Sequence, residues 1–179
     1  METSRRLLLM AAAGAVLPAS AGTPPPELLQ ALPAVRLRGE GRLRFLGLHV
    51  YDIRLWTPAD FAAERWSEAP LALEIQYARP LVGKAIAERS LQEMQRQGEL
   101  PAERAQRWLA EMEQLFPDVR QGDRILGVKQ PGVGAAFYVN GRLRGEVRDP
   151  DFARRFFGIW LAPQTSEPGL RQRLLGSGT

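Results

Sequence analysis

The stretch from Gly122 to Leu161 constrains the fold more than any other part of the chain. It contains two short strand-like runs, Ala135–Val139 and Leu143–Val147, on either side of Asn140-Gly141. Both central residues of a tight two-residue hairpin turn need positive φ, and Asn-Gly is the pair that adopts it most readily. The pattern therefore predicts a β-hairpin, with a further strand at Ile125–Lys129.

A helix is predicted directly after this hairpin. Asp149 can accept hydrogen bonds from the first free N–H groups, Pro150 suits the first helical position, and Asp151 favours the positive end of the helix dipole. The apolar residues that follow recur at helical spacing, namely Phe152, Phe156, Ile159 and Trp160. Such a stripe indicates a helix packed on a sheet, and core packing explains it better than a cofactor pocket.

The rest of the chain continues this alternation of strands and helices. Strands are predicted at Val35–Leu37, at Leu71–Tyr77 and over a long run from Phe45 to Trp56, with a turn or bulge at Gly39 and Gly41. Helices are predicted at Pro80–Gln97, Pro101–Phe116 and Gly169–Leu175. Because the hairpin connections are too short for parallel crossovers, the fold class is α+β, with a mainly antiparallel sheet covered on one face by helices.

The first 21 residues have the features of a cleavable signal peptide. Arg5-Arg6 precede an apolar run from Leu7 to Leu17, and the small residues Ala19-Ser20-Ala21 follow it. The run is too short to span a bilayer, so no transmembrane segment is expected in the mature protein. Ser4-Arg5-Arg6 also resembles a twin-arginine export signal. We expect a periplasmic or secreted protein with a loose Pro-rich lead-in over residues 22–34 and one domain over residues 35–179.

Composition and motifs exclude several functional classes. The chain has no Cys, its formal charge is +4, and its Arg residues are mostly interleaved with acids. Arg36, Arg38, Arg42 and Arg44 form the one run that could meet a polyanion, but a solvated strand face explains it better, so no nucleic-acid partner is expected. Turns and helix caps account for Asp118, Asp123, Asp149 and Asp151. We therefore predict no metal site and no cofactor.

Four segments together resemble the exported bacterial branch of the chalcone isomerase-like family. They read GEGRLRFLGLHVYDIRLW from Gly39, LALEIQYARPLVGKAIAERSLQEM from Leu71, FPDVRQGDRILGV from Phe116, and FYVNGRLRGEVRDPDFARRFFGIWL from Phe137. Thr165-Ser166 and Leu174-Leu175 follow in the expected order. The resemblance implies an open-faced β-sandwich in which a flavonoid or a fatty acid lies between the sheet and the helical layer.

The residues that the resemblance assigns to catalysis are absent. The family's catalytic Thr position reads Leu46, its catalytic Tyr position reads Ile86, and its Asn position reads Glu93. Leu and Ile cannot donate the hydrogen bonds that polarise a ketone, so chalcone cyclisation is not expected. The resemblance also implies an Arg near the first hairpin that pairs with a carboxylate or a phenolate, and the candidates are Arg38, Arg42 and Arg44. A guanidinium there would suit a carboxylate through a bidentate contact.

Three functions remain open on the sequence. The leading hypothesis is a non-catalytic protein that binds a small apolar ligand such as a fatty acid, in a cleft between the long strand and the helix after Pro80. Its ligand-binding candidates are Arg38, Arg42, Arg44, Tyr51, Tyr77 and Ile86. An isomerase or lyase would rely instead on Tyr77, Tyr138, Glu93 or His49. His49, expected on the core-facing side beside Tyr51, is more typical of a satisfied or partly buried ring than of a base. A structural or accessory protein would have no cleft.

Overall fold

The computed structural model describes residues 22–176, so the predicted signal peptide lies outside the described residues. Its centre is one six-stranded sheet in which every strand pairs antiparallel with the next strand of the chain. The strands are β1 (Val35–Phe45), β2 (Leu48–Pro58), β3 (Leu71–Tyr77), β4 (Arg124–Gln130), β5 (Gly134–Val139) and β6 (Arg142–Val147). The predicted α+β class with an antiparallel sheet is confirmed.

The described residues also form five α-helices and one 3₁₀ turn. The helices are α1 (Pro26–Ala31), α2 (Gly83–Gln95), α3 (Ala102–Leu115), α4 (Pro150–Leu161) and α5 (Pro168–Leu175), and the 3₁₀ turn covers Ala63–Arg65. Helices α2 to α5 pack on one face of the sheet, here called the helical face, and α1 packs on the other. Among residues 22–176, every helix is too short or too polar to cross a membrane.

The core of the helical face is built around the aromatic residues of α4. The ring of Phe156 contacts that of Phe137 on β5 edge to face, with centroids 5.0 Å apart, and stacks on Phe152 at 5.7 Å. The predicted helix start is also present, because the Asp149 carboxylate accepts from the N–H groups of Asp151 at 3.0 Å and Phe152 at 3.2 Å. These contacts fix α4 across the sheet.

The opposite face has a smaller core, and the Pro-rich segment contributes to it. That segment was predicted as a loose lead-in, but it contains α1, whose Leu28 is fully buried against Trp56 and Leu126. The Glu27 carboxylate lies 2.5 Å from a guanidinium nitrogen of Arg124 on β4. Apolar burial and this ion pair hold the segment on the sheet, an outcome that composition alone did not indicate.

Of the turn or bulge predicted at Gly39 and Gly41, the turn is absent, but the register of β1 against β2 does shift between Leu37 and Gly39. β1 continues through Gly39 and Gly41, and the chain reverses at Leu46-Gly47, which divides the predicted long strand in two. The two earlier glycines serve close packing. A Cβ on Gly39 would lie 2.2 Å from the carbonyl oxygen of Arg173 on α5, and one on Gly41 would lie 2.4 Å from the Leu170 side chain. Glycine allows α5 to contact β1 at these two positions.

A β-bulge changes the face on which His49 lies. Leu43 pairs with Tyr51 while Arg44 pairs with His49, so Val50 is an extra residue on β2. An extra residue shifts the alternation by one position. The prediction that His49 shares the core-facing side with Tyr51 is therefore wrong. Its Nε2 instead lies 3.2 Å from Oδ1 of Asp52.

Candidate ligand-binding cavity

A cavity of about 350 Å³ lies between the helical face of the sheet and the helices, at the end of the sheet where the first hairpin turns. It falls between β2 and α2, the region in which the sequence placed a cleft. It is lined by Leu43, Phe45, Val50, Tyr51, Ile75, Tyr77, Ile86, Arg89, Ser90, Glu93, Phe116, Ile125, Phe156, Ile159, Trp160, Ser166 and Glu167. Most of these side chains are apolar, so the cavity suits an apolar ligand.

Its walls are held by the core of the fold rather than by loops. Ile75 on β3 and Ile125 on β4 form the floor as a directly opposed cross-strand pair, and both are buried. Phe156 and Ile159, both buried, reach the cavity from α4. Because these residues also pack against the main core, the shape of the cavity is largely fixed before any ligand enters.

One phenol offers a hydrogen bond inside this apolar space. The Oη of Tyr51 accepts from the indole Nε1–H of Trp160 at 2.9 Å, which leaves the Tyr51 O–H free to donate. Burial raises the pKa of Tyr51 well above its usual value. It raises the pKa of Tyr77 likewise, whose ring packs edge to face against Tyr51 with centroids 6.1 Å apart. Both phenols therefore stay protonated at neutral pH and act as donors rather than bases.

A charged pair on α2 borders the cavity. Glu93 is only 7% exposed, and its Oε1 lies 2.7 Å from Nη2 of Arg89, whose side chain is 65% exposed. Arg96 approaches the same carboxylate, with its Nε 3.5 Å from Oε2. Glu93 is thus neutralised by two guanidinium groups, and Arg89 extends from the cavity wall into solvent. The pair gives one side of the cavity a polar rim.

Sequence reasoning found only part of this lining. Tyr51, Tyr77, Ile86 and Glu93 all line the cavity, as their roles in the hypotheses required. Arg89 and Ser90 were not singled out, although they follow Ile86 at three and four residues and so share its face of α2. Ser166 and Glu167 come from the connection between α4 and α5, where Thr165 donates from Oγ1 to the carbonyl of Ile159 at 2.6 Å.

The three arginines proposed as carboxylate anchors lie outside the cavity lining. Arg42 pairs with Asp52, its Nε 2.7 Å from Oδ1, and this pair raises the pKa of Arg42. The Nε of Arg38 donates to the carbonyl of Leu175 at 3.0 Å, and Nη1 of Arg44 donates to the carbonyl of Gly47 at 3.3 Å. Each guanidinium has a partner on the framework. Arg89, which the sequence did not single out, is the guanidinium among the lining residues.

Two of the acid–base candidates and one family position also lie elsewhere. His49 is beside Asp52, and Tyr138 packs on the opposite face of the sheet against Leu126, its neighbour on β4. Leu46, the residue at the family's Thr position, is at the tip of the first hairpin and is 87% exposed. Ile86, at the position where the family resemblance placed a catalytic Tyr, does line the cavity. The cavity therefore has an alkyl group there and no phenol.

A second cavity, of about 290 Å³, lies at the N-terminal end of α4 and is lined in part by Lys129 and Arg154. Lys129 is 2% exposed, and its Nζ donates to the carbonyls of Ser67 at 2.7 Å and Ala69 at 2.9 Å. Burial lowers the pKa of Lys129 to about 8. The two hydrogen bonds hold the segment before β3 against the sheet, which gives this lysine a structural role.

Comparison with known proteins finds a matching family and similar proteins. The family described as chalcone isomerase-like matches residues 33–176. An uncharacterised protein of Haemophilus influenzae is 34% identical over 128 residues, which are 72% of this chain and 61% of that protein. The chain thus spans about 61% of the length of that relative. A fatty-acid binding protein of Arabidopsis thaliana has a similar fold, with a TM-score of 0.60, 16% identity, and coverage of 80% of this chain and 88% of that one.

Proposed function

This chain belongs to the chalcone isomerase-like family, and we propose that it binds a small apolar ligand such as a fatty acid without converting it chemically. The observation that carries the proposal is the cavity of about 350 Å³ with its largely apolar lining. Its volume is near the lower end of the range of roughly 300–1,000 Å³ typical of small-molecule sites. The shared fold with a plant fatty-acid binding protein supports the choice of ligand class.

The polar groups of the cavity favour binding over proton transfer. Tyr51 donates a hydrogen bond and, with its pKa raised by burial, does not serve as a base near neutral pH. Glu93 is held between Arg89 and Arg96. A carboxylate or carbonyl on a ligand could accept from the Tyr51 hydroxyl or from Arg89, while its alkyl chain occupied the apolar interior. This arrangement orients a ligand, whereas the remaining carboxylate of the lining, Glu167, lies exposed just before α5.

The proposed place of action is outside the cytoplasm. The features of the first 21 residues support export, with Arg5-Arg6 before an apolar run and small residues after it. N-terminal sequencing of protein recovered from the periplasmic fraction of an expressing bacterium tests this part. A mature N-terminus near Gly22 supports export by a cleavable signal. An intact N-terminus in the cytoplasmic fraction contradicts it.

Ligand binding is tested by displacement of dansyl-labelled undecanoate with fatty acids of increasing length, from octanoate to hexadecanoate. Each buried methylene contributes about 0.8 kcal/mol, so affinity should increase about fourfold per added methylene while the chain fits inside the cavity. Once the chain is longer than the cavity, the increase should stop. A series without any dependence on length would contradict binding in an apolar site of limited length.

A cavity-filling variant connects binding to this site. Ile86→Trp places an indole in the space, and dansyl-undecanoate binding should be lost. Val82→Trp is the matched control, because Val82 immediately precedes α2 and is 59% exposed. It should bind as the wild type does. Equal binding by both variants would place the ligand elsewhere on the protein.

A further inference from the structure

The tip of the first hairpin presents three large apolar side chains to solvent. Phe45 is 63% exposed, Leu46 is 87% exposed and Leu48 is 53% exposed, and only Gly47 interrupts the run. Scattered exposed apolar residues are common on protein surfaces, but a continuous group at a projecting turn is typical of a contact surface. We refer to residues 45–48 as the hairpin tip.

Leu46 is a costly residue for the backbone conformation that it adopts. Its φ is +49° and that of Gly47 is +79°, the pair of positive values found in a tight hairpin turn. The last hairpin of the sheet makes the same kind of turn at Asn140 and Gly141, with φ of +49° and +82°. Asn is favoured over Leu at such a position. Folding stability therefore does not explain Leu46, because its side chain is also the most exposed of the three.

The hairpin tip is continuous with the proposed ligand site. Phe45 belongs both to the tip and to the cavity lining, and Leu43 and Val50 on either side of the tip also line the cavity. A surface that covered the tip would therefore lie next to the cavity. An apolar ligand could pass from such a surface into the cavity along apolar side chains, with little exposure to water.

Along the chain, the ionisable side chains nearest the tip are basic. Between Leu43 and Val50 the ionisable residues are Arg44 and His49. The nearest carboxylate along the strand, Asp52, is already held by Arg42, with a separation of 2.7 Å, and by His49 at 3.2 Å. Arg44 is exposed, and one of its guanidinium nitrogens donates to the carbonyl of Gly47. An exposed cation beside an apolar projection complements anionic lipid headgroups above a hydrocarbon layer.

We propose that the hairpin tip docks on the surface of a lipid bilayer that contains anionic headgroups, with Phe45, Leu46 and Leu48 inserted at the interface. As a route for ligand exchange this rests on the proposed function, but docking itself is a separate property of the surface. A second copy of the chain or a protein partner could also cover an apolar tip. The exposed Arg44 next to the tip and the adjoining apolar cavity favour the bilayer over these occupants.

Co-sedimentation with vesicles tests the docking. The vesicles contain phosphatidylcholine alone or phosphatidylcholine with phosphatidylglycerol, and every variant is compared in the same N-terminal form, established by intact mass. Leu46→Asn gives the turn its preferred Asn-Gly pair, so it should fold as well as the wild type while its partitioning falls about tenfold. Leu143→Asn is the matched control, because Leu143 is 55% exposed on β6 near the other hairpin. It should partition as the wild type does.

Each outcome has a defined meaning. Binding to the anionic vesicles that is stronger than to phosphatidylcholine alone, and that Leu46→Asn but not Leu143→Asn reduces, supports the proposal. The proposal is overturned if the wild-type protein binds neither kind of vesicle. It is also overturned if the two variants lose vesicle binding equally. Sedimentation velocity showing a dimer that Leu46→Asn dissociates, without vesicle binding, assigns the tip to a second copy instead. Vesicle binding is measured without fatty acid and ligand displacement without vesicles, so the failure of one is distinguishable from the failure of the other.

Discussion

Replacement of Arg155 on α4 should weaken the attachment of α2, which forms one wall of the cavity. Arg155 on α4 is 9% exposed, and its guanidinium donates to the carbonyls of Gly98 at 3.1 Å and Glu99 at 2.7 Å, just beyond the end of α2. In return, Gln97 donates from Nε2 to the Arg155 carbonyl at 2.6 Å. Arg155→Met keeps much of the side-chain length and removes the guanidinium donors.

The expected cost follows from these bonds. A hydrogen bond to a charged group contributes about 1.5–3 kcal/mol, and water can partly replace the lost donors because Gly98 and Glu99 are exposed. The free energy of unfolding should therefore fall by about 2–4 kcal/mol. For a domain of this size that corresponds to a decrease in Tm of about 6–12 °C.

Urea unfolding followed by tryptophan fluorescence measures the effect. Arg154→Met is the control, since the Arg154 side chain is 46% exposed and its one ion pair within residues 22–176 is with Asp151. It should change the free energy of unfolding by less than about 0.5 kcal/mol. If Arg155→Met were as stable as Arg154→Met, the proposed fixing of α2 by α4 would be refuted.

Three further predictions concern Lys129, the first hairpin and the contact of α5 with β1. The folded pKa of Lys129 is lowered to about 8, so the unfolded chain binds more protons between about pH 8 and 10. The free energy of unfolding should therefore increase by about 2 kcal/mol from pH 8 to pH 10, an increase that urea titrations should not find in Lys129→Met. Leu46→Asn should raise Tm slightly, as scanning calorimetry would measure; a fall would contradict the assigned turn. Gly39→Ala should lower the free energy of unfolding by at least about 1–3 kcal/mol, because its Cβ would meet the α5 backbone at 2.2 Å. Gly169→Ala, whose Cβ meets nothing closer than 3.9 Å, should not reduce stability in the same chemical denaturation assay.

Local signals in the sequence were sufficient for the second half of the fold. The Asn140-Gly141 turn and the start of α4 after Asp149 are where the sequence placed them. Each depends on the chemistry of adjacent residues, such as positive φ at the turn or a carboxylate that accepts from free N–H groups. Local chemistry of this kind is visible without knowledge of the tertiary structure.

The turn and the register of the first hairpin could not be predicted from local signals. Gly39 and Gly41 indicated a turn or a bulge; the ladder is irregular between Leu37 and Gly39, and both glycines also allow α5, far along the chain, to pack against them. The true turn has Leu46 in a conformation for which Leu gives no signal. The bulge at Val50 then moved His49 to the other face. All three depend on contacts or on a register that only the folded chain defines.

The site residues also divide into those that the sequence placed correctly and those that it did not. Tyr51 and Tyr77 line the cavity, because alternation along a strand fixed their side of the sheet, and Ile86 lines it at the position that the family resemblance indicated. Tyr138 was expected near the cleft, but its neighbour Phe137 occupies the helical face, so period two directs Tyr138 to the other. Arg38, Arg42 and Arg44 were chosen for their charge and their place near the first hairpin, and neither determines which partner a long side chain finds.

Native mass spectrometry of protein isolated gently from expressing cells tests the central claim most directly. We predict one non-covalent adduct per chain, of fatty-acid mass, that decanoate displaces. The Ile86→Trp variant, isolated in the same way, should lack it, whereas Val82→Trp should retain it. An empty wild-type protein that also takes up no added fatty acid, or an adduct equally abundant in Ile86→Trp, would contradict an apolar ligand in this cavity.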